Sequence, residues 1–449
     1  MSWSQVSSNR WERPLVGMDQ YHFYFAKLSG ALENNNGREQ YTIHSKVKVE
    51  IKLPDIESAL KHAWEQARYE EPDIATFMDG ETKVYEVPDN TAPQEWLDST
   101  FIISDTIDAE GLYRDAPRIK QATLYYLPKS TEIVLLAHHY TIDGVGALMW
   151  WHNYLSAVAD PKPDITFGNE HVRLAPSLPE VIAIGSTVPP TLEQSERATS
   201  MLVDYTSRLP GIGIASKVGK VPPGQCQTAT YTYSPETTAA IVRACKLNGI
   251  TVTSAVHAAF IRVMIKHADP ESNTSRYTSA IELNLRDYLR APYNKSATAN
   301  YFTPLPFSVN LPASFTELVK ALGHNYRTNV RDHPEILELT GLFTQALADI
   351  VKTPEYKAAP IPSDSLLSSL GVVEKYLRSS YSGTVVVKDF GFGLDIMLGM
   401  NSLHFYTFND RLRLVYNYND GYQDGAKLRE YLDDMEKVLR EELLDSAAA

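Results

Sequence analysis

Two adjacent histidines open the run His138-His139-Tyr140-Thr141-Ile142-Asp143-Gly144, whose residue types suit proton transfer. An imidazole titrates near neutral pH, so it can take a proton from an attacking hydroxyl or amine. An aspartate four residues beyond the second histidine can fix a loop by pairing with a distant arginine, and Gly144 permits close backbone approach or an unusual dihedral. A metal centre is the weaker reading. Adjacent residues on an extended segment point to opposite sides, and the chain has neither a His-Glu-x-x-His run nor paired cysteines. Gly-x-Ser-x-Gly is absent, which argues against a nucleophile elbow. Gly391-Phe392-Gly393 lacks the spacing of a dinucleotide loop.

The histidine run lies where an apolar strand gives way to a helix, so side chains can project from a rigid strand end into a cleft. Glu132 to Ala137 reads as that strand and Gly144 to Ala159 as the helix, with Trp150-Trp151 as helix packing. Tyr41 to Lys52 alternates polar and apolar residues and predicts another strand, as does Ile119 to Leu127. Asp55 opens a helix with Ile56, Leu60, Ala63, Trp64 and Ala67 on one face. Arg10 and Arg13 read as a solvated arm. Pro176, Pro179, Pro189 and Pro190 punctuate the middle, and Thr191 to Leu209 reads as one helix.

Pro210 to Gly224 is rich in Gly, Pro and Lys, which places a domain boundary there. The expected division is 1–209, a linker at 210–225, and 226–449. The second part opens with a strand at Gln227 to Tyr233. Ser234-Pro235-Glu236 then starts a helix that ends at Gly249, and Thr251 or Thr253 caps the next. Strands are expected at Tyr277 to Asn284, Thr384 to Lys388, Ser402 to Phe408 and Leu412 to Tyr418, with a final helix from Asp424 to Leu444. Both halves show strand–helix–strand order, which predicts an α/β fold with two similar layers.

The composition is that of a globular protein: 449 residues, 43% hydrophobic and 22% charged. The net charge of -13 argues against nucleic acid or an anionic membrane as partner. Cys226 and Cys245 are too few for a disulfide framework, so a reducing compartment is expected. The N-terminus has no apolar core of a signal peptide, and no apolar run is long enough to span a bilayer. The Asn-x-Ser/Thr triplets at Asn273 and Asn294 read as chance matches, and a cytoplasmic location is expected.

The run His138 to Gly144 is a complete HHxxxDG motif. It resembles that of the acyltransferase superfamily of nonribosomal peptide synthetase condensation domains and plant BAHD enzymes. Asn284-Leu285-Arg286 with Asn300-Tyr301-Phe302 is similar to the segment that bridges the two halves in these families. Ser234 to Met264 is similar to their helix pair, and Asp389-Phe390-Gly391-Phe392-Gly393 to the BAHD DFGWG signature. Trp11-Glu12-Arg13-Pro14-Leu15 and the overall length look most like the fungal trichothecene 15-O-acetyltransferase type.

The resemblance implies two chloramphenicol-acetyltransferase-like α/β subdomains forming a V, with a tunnel at their interface. It implies His139 as general base, with His138, Asp143, Gly144, Arg286 and Asn300 in support. Arg286 is the first choice of partner for Asp143, and Arg68 the second. No bound cofactor and no metal are implied. Acyl-CoA would be a cosubstrate and a small secondary metabolite the acceptor, with O-acylation ahead of N-acylation in a monomer. Two alternatives stand beside this reading: a carrier-protein-bound donor, and a repurposed member catalysing cyclisation or dehydration. The loops Thr187 to Gly224 and Pro354 to Gly383 are expected to shape the tunnel.

Overall fold

The computed structural model describes residues 2–445, except 31, 33–36, 90–91, 184–189, 328–334 and 359–365. Pro189 and parts of both expected tunnel loops therefore lie outside the described residues. The chain folds as a mixed α/β structure around a six-stranded sheet, a four-stranded sheet and a two-stranded ribbon, with a further small four-stranded sheet formed near the N-terminus.

The six-stranded sheet runs in the order Ser380–Tyr381, Val385–Leu394, Ile43–Ile51, Glu132–Ala137, Thr123–Leu127 and Phe101–Ile103. Glu132–Ala137 is buried along its whole length, which explains its continuous apolar run. The helix Gly144–Ala159 has the bounds its sequence predicts, because Asp143 caps its N-terminus. Trp150 and Trp151 are fully buried in it, and Trp151 Nε1 donates to Ser45 Oγ on the neighbouring strand at 2.8 Å.

The four-stranded sheet runs Leu366–Val372, Ser402–Phe408, Arg411–Asn419 and Cys226–Thr232. It shares an apolar core with the helices Pro235–Leu247, Val252–Lys266 and Gly425–Leu439. Thr251, not Thr253, caps Val252–Lys266, in a capping box with Ser254. Both cysteines are buried and free, and burial pushes their thiols up, Cys226 to about 12 and Cys245 to about 11. Among the described residues no single helix is long and apolar enough to cross a membrane.

Three differences from the sequence reading bear on the site. The strand expected at Thr384 to Lys388 continues to Leu394 and takes in Asp389 to Gly393. It pairs with Ile43–Ile51, so residues from beyond the 210–225 linker complete the sheet that carries the histidine run. Gly391 permits that pairing: a Cβ there would meet the Lys46 side chain at 2.9 Å. Asp389 is bound to Arg413 at 2.6 Å, which makes this segment a strand with a tethered end.

Secondly, the N-terminal stretch holds an unforeseen helix, Gly17–Gly30. Arg13 is not on a solvated arm: it is 2% exposed and pairs with Asp19 of that helix at 2.7 Å. Burying a guanidinium is tolerable only with such a partner. Thirdly, Phe302–Asn310 is a strand despite Pro304 and Pro306, paired antiparallel with Arg276–Asn284. A two-stranded ribbon has two free edges, and proline is tolerated on an edge because its missing N–H breaks no ladder bond there.

Candidate active site

The strand Glu132–Ala137 delivers the two histidines, and the chain then turns, with Thr141 N donating to His138 O at 2.9 Å. The two side chains part company. His138 is buried away from the cavity, with Nε2 3.2 Å from Ile119 O, Nδ1 3.3 Å from Glu39, and its ring stacked on Tyr140. His139 lines a cavity of about 360 Å³ between the two sheets.

Asp143 holds this loop in place. Its carboxylate accepts from Arg286 Nη1 at 2.8 and 2.9 Å, from Gly146 N at 2.7 Å and from Tyr301 N at 2.9 Å. Arg286 completes its donors on the backbone, with Nε to Ser296 O at 2.9 Å and Nη2 to Ala299 O at 3.0 Å. Both side chains are at most 5% exposed. One carboxylate thus ties together the histidine loop, the helix start, and the segments that flank both strands at one end of the ribbon. Arg68 takes no part: it donates to Glu86 O and lies over Trp96. Gly144 serves close approach rather than an unusual dihedral, since a Cβ there would meet a Leu370 methyl at 2.6 Å. Gly146, which sequence reasoning passed over, is tighter still: a Cβ would lie 2.2 Å from Ala297 O.

His139 is positioned on its other side by His22, which the sequence did not single out, together with Phe302 and Asn300, which it did. His22, on the helix Gly17–Gly30, stacks on it with ring centroids 3.8 Å apart and an interplanar angle of 13°. Phe302 packs at 5.7 Å from the opposite element. Asn300 donates through Nδ2 to Asp19 at 2.9 Å, and Asp19 is in turn held by Arg13. A chain of contacts therefore runs from Arg13 through Asp19 to Asn300, beside the histidine. Asp19 and His22 are three residues apart, the spacing of one helix face, and that spacing was the available signal.

The electrostatics favour a neutral imidazole. Burial is the largest influence and lowers the His139 pKa, while its own backbone carbonyl, Asp143 and Asn300 oppose this. Nδ1 is buried without a hydrogen bond of normal geometry. The ring lines the cavity, and Nε2 is not enclosed in the same way as Nδ1. Burial lowers His22 well below the usual histidine range, with His139 adding to the effect, and lowers His404, across the cavity, to about 3. A neutral ring can accept a proton, and a cavity reaching between two sheets can hold two reactants against it.

The chain is similar to known acetyltransferases in sequence and in fold. The sequence is 28% identical to O-acetyltransferase pigM of Monascus ruber over 458 residues, covering 99% of this chain and 87% of that protein. The solved structure of trichothecene 15-O-acetyltransferase from Fusarium sporotrichioides matches with a TM-score of 0.80 at 17% identity, covering 97% of this chain and 96% of that one. The first condensation domain of the calcium-dependent antibiotic synthetase matches with a TM-score of 0.63 at 15% identity, over 95% of both chains. No family model matches the sequence.

Proposed function

We propose that this protein, an acyltransferase with the condensation-domain fold, moves an acetyl or similar small acyl group from acyl-CoA to a hydroxyl of a small secondary metabolite, with His139 as general base. The observation that carries the reading is His139, whose pKa burial lowers, lining a cavity between the two sheets on a loop that Asp143 and Arg286 hold in place. The acceptor oxygen attacks the thioester carbonyl carbon as its proton passes to Nε2. The tetrahedral intermediate then collapses, the C–S bond breaks, and the proton on Nε2 goes to the departing thiolate. The ring ends neutral, so it is ready for another cycle, and neither a metal nor an acyl-enzyme is required. The acetyl-transferring activity named for the relatives supports the acyl group chosen here. A cytosolic monomer that binds acyl-CoA and acceptor in turn is the simplest setting for this chemistry.

General base catalysis of this kind contributes about 10²–10⁴-fold. His139→Ala is therefore expected to lower kcat by about that factor, with little change in Tm, when product is followed by mass spectrometry with acetyl-CoA and a panel of alcohols. Full activity in the variant removes the general-base role. Transfer only from a carrier-protein-bound thioester replaces CoA as donor and leaves the base in place.

A further inference from the structure

The ribbon strand Arg276–Asn284 alternates as a strand should. Tyr277 and Ile281 point into the C-terminal core, while Thr278, Ala280, Glu282 and Asn284 line the cavity. Glu282 is the acid on that wall. Its partner across the ribbon is Pro304, which has no N–H to offer, and Pro306 stands opposite Ala280. Glu282 Oε2 is buried without a hydrogen-bond partner, and among the described residues no cation pairs with the carboxyl. Native proteins rarely leave a buried carboxyl oxygen unpaired, and such an atom in a binding cavity marks a contact reserved for a ligand.

We propose that Glu282 is the recognition group for the acceptor, and that it donates a hydrogen bond to an uncharged oxygen, ether or carbonyl, of an otherwise apolar substrate. This rests on the acyl-transfer reading only for the word acceptor; the recognition itself is a property of the cavity. The surroundings decide between an uncharged partner and a cationic one. Tyr21 and Tyr41 face Glu282 from the N-terminal part, and Tyr326 from the helix Phe315–Arg327. Tyr205 and Tyr356 line the same cavity, with His22, His139 and His404. The three histidines are shifted by burial toward the neutral ring, and Glu282 is pushed up to about 8, toward the protonated acid. Asp143, the other acid on this cavity, is already paired with Arg286, so an ammonium entering the chamber would meet no free carboxylate and would pay the cost of burial unpaired. A protonated carboxyl offers a donor, and an ether or carbonyl oxygen accepts it.

Three bicyclic benzylic alcohols test this, since they differ at one ring position: methylene in tetralol, ether oxygen in isochromanol, secondary ammonium in tetrahydroisoquinolinol. Calorimetric binding to the wild-type protein, without any thioester, is expected to favour isochromanol over tetralol by roughly three- to tenfold, the worth of one hydrogen bond. Glu282→Gln retains a donor and should retain the preference; Glu282→Leu should abolish it. In the wild type the preference should fade as pH rises through about 8, while in Glu282→Gln it should not. If the leucine variant does not fold, the wild-type pH profile and the glutamine variant still decide the matter. Equal binding of all three alcohols overturns the proposal. So does tightest binding of the ammonium compound that Glu282→Gln loses. If the oxygen preference holds while no alcohol is acylated, the recognition role stands and the acyl-transfer reading falls; acylation without any preference does the reverse.

Discussion

Asp143 and Glu282 are two carboxyl groups on one cavity, and they have opposite environments. Asp143 accepts hydrogen bonds from one guanidinium and two backbone amides. Glu282 has a buried oxygen with no partner and a proline across the ribbon. A buried charge is stable only when fully paired, and the hydrogen-bonding capacity of Asp143 is spent on holding elements together. Glu282 has no cation against it among the described residues, and burial pushes it up to about 8, toward the protonated acid. The difference separates architecture from recognition: the satisfied acid fixes where His139 stands, and the unsatisfied one is left for what binds beside it.

Replacing each acid by its amide should separate the two most sharply. Asp143→Asn keeps the shape but leaves Arg286 buried without its counter-ion. Loss of one partner of a buried pair costs about 3–5 kcal/mol, so a large fall in urea midpoint is expected together with loss of acyl transfer. Glu282→Gln should leave the midpoint at neutral pH unchanged or raised. Asp143→Asn with unchanged stability and activity would remove the anchoring role.

The anchored side of this comparison was legible in the sequence and the recognition side was not. The resemblance of the segments holding Asp143 and Arg286 to known motifs implied their pairing, and the cap of the helix Gly144–Ala159 is a local signal. His139 was legible for the same reason. Glu282 looked like an ordinary polar member of an alternating strand. Its burial depends on Phe302–Asn310, which two prolines disguise, and on the tyrosines of distant elements. His22 was hidden because Gly17–Gly30 was not recognised as a helix. The division at 210–225 describes the order of the chain, yet Val385–Leu394 returns to pair with Ile43–Ile51, and long-range pairing of that kind leaves no local trace.

His22 gives a second, smaller contrast on the recognition side. Both of its nitrogens are buried without partners, and its ring lies flat against His139. If the ring acts as a wall that fixes the base, shape should matter more than nitrogen. His22→Phe is then expected to keep kcat within about threefold, whereas His22→Ala costs on the order of ten- to a hundredfold through misplacement of the base. Equal losses in both variants would assign the effect to the imidazole itself.

The smallest expected effect is the pH dependence of stability, and it distinguishes the two acids without any substrate. Glu282 titrates near 4.5 in the unfolded chain and near 8 in the folded one. Between those values the native state holds a proton that the unfolded state has released, so this group's stabilisation is complete below about 4.5 and is lost as pH rises toward 8. The buried histidines act in the other direction. His257 and His404 are lowered to about 3 from 6.5, so they cost stability as pH falls through 6.5, a slope that fades about a unit above it and is common to wild type and variant. Glu71, raised to about 7, contributes a slope of the same sign as Glu282 but is common to wild type and variant. The Tm of Glu282→Gln minus that of the wild type should therefore grow from pH 6.5 to 8, since the histidines and Glu71 cancel. A difference that stays flat across this window would mean that Glu282 is already ionised in the native protein. Its unpaired oxygen would then belong to a charge held by water rather than to a proton donor, and the contrast with Asp143 would reduce to one of packing.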